Sequence, residues 1–426
     1  MRTLTILSIL CVSFMAIANL ANAQTSLQPK EFPIGFWCGP PEKFMTEEQF
    51  RLIKAAGFTV VLPPCEGVVT PEMNRKLLSL CRRLGLQAII TDSRIPLAMT
   101  GNDKALDNLK AVANEYSKAS SLMGYFITDE PGAKQFGELA KVVKALRKLD
   151  PQHAAFINLF PNYASTDRDA NPSQLNTATY DEYLDTYLNT VQPDVLSYDH
   201  YHFLKGSDRP GFLGNLASAQ KAARTAEVPF WNIILSIAHG SYRPLNENEL
   251  RYEALQSLAY GVKGLLYFTY WLPPDDSTFT WSHAIMERDG KPGALYEPVK
   301  RVNEDVRAIA AYLYPAKCLM TYQTGEIPLD GTKQPGSSLA RSEGKSNLTI
   351  GVFRDAMGYL YALATNRDYK AETTTKMQFY AGKRQIELFD PKTKTFKPIA
   401  EKVNGEGMTE HATTLLPAGY ALFRWQ

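Results

Sequence analysis

From Phe32 onward, short apolar runs alternate with stretches of helical periodicity. Residues 32–38 are the first run. Thr46 then caps a helix whose stripe is Phe50, Ile53 and Ala56, and Gly57 closes it. Residues 59–62 read as a second strand. Pro71 opens a helix with Leu77, Leu80 and Leu84, and Gly85 follows it. Residues 86–91 are a third strand, 103–119 a helix and 122–128 a fourth strand, from which 133–148 continue as a helix. The second half repeats the scheme, with strands at 154–160, 195–198, 230–237 and 265–270 and helices at 179–191, 213–226, 247–262 and 298–313. Such alternation builds βα units and a parallel sheet. Eight strands and eight helices over about 290 residues predict an α/β chain folded as a (β/α)8 barrel. A doubly wound open sheet is the competing fold. It carries a Gly-rich phosphate loop after its first strand, and none follows Trp37.

The texture changes after Pro315. Residues 348–353, 359–365, 376–380, 385–389 and 420–425 are short and β-rich, with turns at 355–358 and 381–383 between them. They predict a C-terminal antiparallel β-sandwich of about a hundred residues. It holds no cluster of acids or histidines, and Tyr359, Tyr361 and Trp425 read as core.

The N-terminus is not part of this pattern. Arg2, an apolar run over 4–20 and Ala21-Asn22-Ala23 match a secretory signal peptide. A membrane anchor would need a longer run and a stop-transfer flank, and no later stretch could span a bilayer. Cys11 follows Ser8-Ile9-Leu10, without the small residue that a lipoprotein box requires. The expected organisation is a leader over 1–23, a catalytic barrel over 24–315 and a sandwich over 316–426, in a secreted or periplasmic protein. Cys38, Cys65, Cys81 and Cys318 match no zinc or redox spacing. Cys38 and Cys65 fall just after neighbouring strands, which allows either a disulfide or two buried thiols.

Charge is nearly balanced, 46 Lys and Arg against 44 Asp and Glu, with no basic stripe, which argues against a nucleic-acid partner. Nothing in the pattern bears on oligomeric state. Aromatics make up 11%, and their flat apolar faces with polar tips suit sugars as well as cores.

In a barrel the chemistry sits at the C-terminal strand ends. Those ends offer Trp37, Glu66, Asp92, Arg94, Asp129, Glu130, Asn158, Asp199, His200, Tyr201, His202, Ser236, His239, Tyr270 and Trp271. Carboxylates, aromatics and neutral hydrogen-bonding groups are what glycoside hydrolysis uses. There is no phosphate cradle and no strand-end Lys for a Schiff base, so no cofactor is expected. His200 and His202, with Asp199 and His239, could be read as metal ligands. With six His in the chain and no barrel-hydrolase order among them, we read them as hydrogen-bonding groups, with no metal. The partner expected is a carbohydrate.

The strand-four ending Asp129-Glu130-Pro131, the strand-eight ending Tyr267-Phe268-Thr269-Tyr270-Trp271 and His200-Tyr201 after strand six resemble the clan A (β/α)8 glycoside hydrolases. The resemblance implies that Glu130 is the acid/base and that Trp271 faces the substrate. Two positions depart from it. Asp129 stands where that group usually has an Asn, and strand seven reads Asn232 to His239 without its nucleophilic Glu. Three partners for Glu130 remain. Asp199 is the leading one, because alternation sets Val195, Ser197 and Asp199 on one face, the smaller set, suited to the barrel interior. Asp129 is the second, since an adjacent Asp-Glu is similar to substrate-assisted hexosaminidases. Alternation turns the two apart unless the strand ends between them. Glu66 or Asp92 is the third. Trp271 and Tyr125 are expected to wall Glu130. Asp129, Trp37, Glu66, Asp92, Arg94, Asn158, His200, Tyr201, His239 and Trp271 are expected to line the sugar site. A carbohydrate-binding barrel that has lost its nucleophile is the rival function.

Overall fold

A computed structural model describes residues 29–99, 104–382, 384–399 and 402–426. The leader expected over 1–23 lies outside the described residues.

The barrel strands are β1 (Ile34–Phe36), β2 (Val60–Val61), β3 (Gln87–Ile90), β4 (Leu122–Asp129), β5 (Ala154–Leu159), β6 (Leu196–Asp199), β7 (Phe230–Leu235) and β8 (Leu265–Phe268). They pair in the order β1-β8-β7-β6-β5-β4-β3-β2, parallel throughout. The β1–β2 seam is joined by Thr59 N to Ile34 O at 2.8 Å and Gly39 N to Pro63 O at 3.0 Å. Around the strands run α1 (Glu47–Ala55), α2 (Pro71–Leu84), the short α3 (Arg94–Ala98), α4 (Ala105–Tyr116), α5 (Phe136–Leu149), α6 (Tyr180–Val191), α7 (Phe212–Ala226), α8 (Glu247–Ala259) and α9 (Tyr296–Leu313). Hydroxyl caps begin several of them: Thr46, Thr70 and Thr179 accept from the backbone N–H three residues on. Gly85, at φ +66°, ends α2 in the left-handed conformation that its missing Cβ permits.

Val60, Ile89, Met123, Phe156, Val195, Trp231, Ile233 and Leu266 fill the barrel, and Trp37, Phe126 and Phe268 pack against them. A Cβ on Gly264 would come within 2.5 Å of the Trp231 ring, so only glycine leaves room for that indole. Leu196 and Tyr198 face the outer core with the helices, as their alternation with Val195 predicts.

The second layer pair is antiparallel. Its strands are β9 (Lys317–Gln323), β10 (Ala340–Glu343), β11 (Leu348–Arg354), β12 (Leu360–Asn366), β13 (Thr373–Phe379), β14 (Glu387–Asp390), β15 (Thr395–Pro398), β16 (Lys402–Val403), β17 (Thr409–Leu415) and β18 (Tyr420–Trp425). One sheet runs β9-β11-β12-β18-β14-β15 and the other β10-β13-β17-β16. Leu348, Ile350, Val352, Phe379, Phe423 and Trp425 form their shared core. Strands β9, β10, β15, β16 and β17 were not legible in the pattern. β17, for example, reads Thr-Glu-His-Ala-Thr-Thr-Leu and buries little but its ends.

The two parts meet along α8. Thr321 Oγ1 donates to Ala259 O at 2.9 Å, and Gln256 Nε2 donates to Thr365 Oγ1 at 3.1 Å. Every residue from Tyr252 to Ala259 is buried, because one face of α8 meets the barrel and the other the sandwich. Cys38 and Cys65 form a disulfide between the loops after β1 and β2, and Cys81 and Cys318 are free thiols.

Candidate active site

The geometry at the end of β4 decides where two adjacent carboxylates point. Phe126 faces the barrel interior, so simple alternation would send Thr128 and Glu130 inward and Asp129 outward. A register shift between Phe126 and Thr128 reverses this, pairing Asp129 with Asn158 of β5. Bulges next to active sites re-aim side chains in this way. Glu130 then adopts φ +45°, a left-handed conformation rare for a residue with a Cβ, and its N–H donates to Asn158 O at 2.9 Å. The strand therefore ends between the two acids, and both turn to one mouth.

Asn158 organises that mouth. Its Nδ2 donates to Asp199 Oδ1 at 2.8 Å and to Asp129 Oδ1 at 3.0 Å, while its Oδ1 accepts from Ser197 Oγ at 3.2 Å. Asn158, Ser197 and Asp199 are buried. Asp129 is open to solvent although the barrel wall surrounds it, which places it on the floor of a deep mouth. Glu130 is half-buried, and its carboxyl lies within hydrogen-bonding reach of Asp199. Burial, then the charge on Asp199, then that on Asp129 push the Glu130 carboxyl far above the usual carboxylate range. Burial and Asp129 raise Asp199 as well, against the hydrogen bonds it accepts from Asn158 and Glu130. The two carboxyls therefore share a proton that burial holds to higher pH than either would alone. Burial also raises Asp129, against the bond from Asn158.

Aromatic groups form the walls. Tyr201 stacks on Phe268 with centroids 5.3 Å apart, and its hydroxyl senses Asp199, Asp129 and Glu130. Trp37 meets Phe126 edge-on at 5.0 Å, and its Nε1 has no partner among the described residues. His239 stacks on Trp281 at 4.4 Å and packs on Tyr242 at 4.8 Å. Burial lowers His239 to about 4, so it is neutral near pH 7.

No protein-family model and no curated protein matches the sequence. Solved structures do match the fold. One titled a glycoside hydrolase superposes with a TM-score of 0.57 at 12% identity, over 93% of this chain and 92% of its own. A glycoside hydrolase family 5 protein from Bacteroides vulgatus gives 0.58 at 13%, over 92% and 88%. A catalytic mutant of a GH42 beta-galactosidase from G. stearothermophilus gives 0.61 at 9%, over 93% and 98%. The chain has the fold of the (β/α)8 glycoside hydrolases.

On this barrel several expected site residues lie elsewhere. Trp271 is buried against Phe44, with centroids 4.8 Å apart, and presents no face to the mouth. Phe268 takes the inward place at the end of β8, in phase with Leu266. Tyr125 points outward and donates to Asp150 at 2.6 Å, so it does not wall Glu130. Asp92 and Arg94 form a two-pronged ion pair at 2.7–2.8 Å that reaches Tyr116 and Glu115 of α4, on the outside of the barrel. Glu66 is exposed on the loop after β2 and is not among the groups that act on Glu130. The third choice of partner therefore fails: neither Glu66 nor Asp92 belongs to the carboxyl cluster.

The histidines serve separate tasks. His200 Nδ1 pairs with Asn215 Oδ1 at 3.1 Å behind the mouth, its ring edge-on to Tyr163, and burial holds it neutral, at about 3. His202 Nδ1 faces Arg209 O at 2.8 Å. Among the described residues, no group of three or more His, Cys, Asp or Glu is placed to hold a metal ion.

The sequence reading missed Tyr163, Arg209, Tyr242, Phe268 and Trp281. Tyr163 and Trp281 sit in the two long loops, 161–177 and 273–292, whose length was their only signal.

Proposed function

We propose that the protein is a glycoside hydrolase in which Glu130 is the general acid/base and Asp199 its partner carboxylate. The observation that carries this is the approach of the two carboxyls to within hydrogen-bonding reach at the C-terminal mouth of a barrel with this fold. A protonated Glu130 donates its proton to the glycosidic oxygen as the C–O bond breaks. Asp199 attacks the anomeric carbon and forms a glycosyl ester. Glu130, now a carboxylate, takes a proton from water, whose oxygen displaces Asp199 and releases the sugar. Inversion needs carboxyls about 6.5–9.5 Å apart to admit a water, and retention about 5 Å. Two carboxyls within hydrogen-bonding reach of each other lie nearer to the retaining separation than to the inverting one, and this favours retention. Asn158 holds the partner and Asp129, and Trp37, Tyr201, Phe268 and His239 line the sugar's path.

A second reading has its own observation. Because β4 ends between Asp129 and Glu130, both face the mouth, as a substrate-assisted hexosaminidase would need. In that reading Asp129 orients the N-acetyl group that attacks the anomeric carbon, and Asp199 only tunes Glu130.

Screening aryl glycosides with the wild type, Glu130→Gln and Asp199→Gly tests both. The first reading expects hydrolysis by the wild type, loss in Glu130→Gln, and azide rescue of Asp199→Gly as a glycosyl azide. Full activity in Asp199→Gly, with inhibition by a thiazoline of an N-acetyl sugar, would select the second. Sugar binding with no hydrolysis of any glycoside would leave a binding protein. We further propose export from the cytoplasm, supported by the leader-like N-terminus and by the Cys38–Cys65 disulfide, a bond that persists in oxidising compartments. The mature N-terminus, sequenced from a cell fraction, tests that.

A further inference from the structure

The wall of the mouth above β6 and β7 holds a cation without a counter-ion. Arg209 follows a hairpin (Phe203–Leu204 with Ser207–Asp208) that leaves the end of β6. Its guanidinium lies 3.8 Å from the centroid of the Tyr163 ring. Nε donates to Tyr201 O at 3.1 Å, and Nη2 donates to the Tyr242 hydroxyl at 3.1 Å. Tyr201 and Tyr163 both sense the charge on Asp199, so the group holding Arg209 is the wall of the carboxyl mouth itself. Among the described residues Nη1 has no hydrogen-bond partner, and no carboxylate lies within ion-pair distance of Arg209.

That is out of keeping with the rest of the barrel. Its other half-buried arginines, Arg94, Arg147, Arg243 and Arg251, each hold a carboxylate. Asp208, the nearest acid in sequence, is taken by Arg243 and by the Tyr369 hydroxyl. Lys205 on the same hairpin donates to Gly240 O and likewise meets no carboxylate among the described residues. A half-buried cation loses hydration that an unpaired site does not return. A guanidinium clamped along one edge and stacked on a tyrosine is pre-organised to receive a planar or tetrahedral anion on its free edge.

We propose that Arg209 is an anion subsite and that the substrate is an acidic glycan, one whose sugars carry a carboxylate or a sulfate ester. The inference rests on the glycosidase reading of this mouth and gives it a substrate class. Its chemistry is recognition only: Arg209 binds and orients the anionic substituent while Glu130 and Asp199 face the bond to be cleaved.

The test is binding, measured calorimetrically at fixed ionic strength. Neutral, uronic-acid and sulfated oligosaccharides of equal length are titrated into the wild type, Arg209→Met and Arg209→Lys. The wild type should bind one anionic class about tenfold or more tighter than the neutral one. That ratio should fall to about one in Arg209→Met and recover in part in Arg209→Lys, which keeps the charge but not the fork. Preference for uronates alone identifies a carboxylate, and for sulfated sugars alone a sulfate ester. Equal binding of neutral and anionic sugars by the wild type, no binding of the anionic ones, or a ratio unchanged in Arg209→Met would overturn the proposal. Aryl-glycoside hydrolysis by the same wild-type sample keeps the two readings apart. Cleavage of neutral glycosides without anionic preference sinks the subsite alone. Arg209-dependent binding with no cleavage sinks the hydrolase reading alone.

Discussion

Glu130 combines a left-handed backbone, a carboxyl whose proton burial holds more tightly and an acid neighbour, and each has a measurable consequence. Replacing it with Gln keeps a neutral hydrogen-bonding head against Asp199 but removes the transferable proton. General acid catalysis contributes roughly 10²–10⁴-fold, so kcat on substrates with poor leaving groups should fall by about that factor. Stability should move the other way. The folded-state pKa of Glu130 lies above its unfolded value, so the folded form holds a proton that the unfolded chain releases. Its contribution is complete below the unfolded pKa, about 4.3, and is lost as pH rises towards the folded value. Glu130→Gln escapes that loss. Its Tm should match the wild type near pH 4 and exceed it increasingly at pH 7–8, as thermal scans across that range would show. Asp199→Asn removes the second cause of the Glu130 shift while leaving burial, the first, in place. The Glu130 titration, followed by carboxyl carbon NMR, should then move down by roughly one unit or more, and an unmoved titration would dissociate the pair.

At the scale of elements, two short pieces of backbone set the site. The bulge in β4 brings Asp129 into phase with Asn158, and the turn at Glu130 brings the second acid round to the same side. Both were open in the sequence, where period-two alternation could only say that the acids diverge unless the strand ended between them. The structure supplies that ending. Beside it, the loop after β1 is tied to the loop after β2 by Cys38–Cys65, which are 27 residues apart. Loop closure of that order restrains the unfolded chain by about 3.5 kcal/mol. The double variant Cys38→Ala/Cys65→Ala should lose about that much in urea unfolding, and the wild type should lose the same on reduction.

For the whole molecule, the sandwich reads as a structural partner of α8. Gly351 of β11 packs its backbone against α8, and a Cβ there would lie 2.2 Å from Ala259 O. Backbone on α8 cannot yield without disturbing a helix buried on both sides. Gly351→Ala should therefore destabilise the chain by roughly 1–3 kcal/mol. Because the contact couples the two parts, the loss should appear in a single lowered transition. Two transitions on calorimetry would mean that barrel and sandwich unfold independently.

Features that depend on local periodicity can be read directly from the chain. The β/α alternation, the Thr46 and Thr179 caps, the Gly85 terminus and the inward phase of Val195, Ser197 and Asp199 all follow from neighbours a few residues apart. The rest was fixed by contacts between groups far apart in the chain. Asn158 joins carboxylates from β4 and β6, Phe268 displaces Trp271 from the mouth, and Asp92 and Arg94 turn outward to α4. Arg209 finds its place on Tyr163 and Tyr242, which lie in two other loops. A strand end states which residues reach the mouth, but bulges, turns and loop packing choose which of them face it.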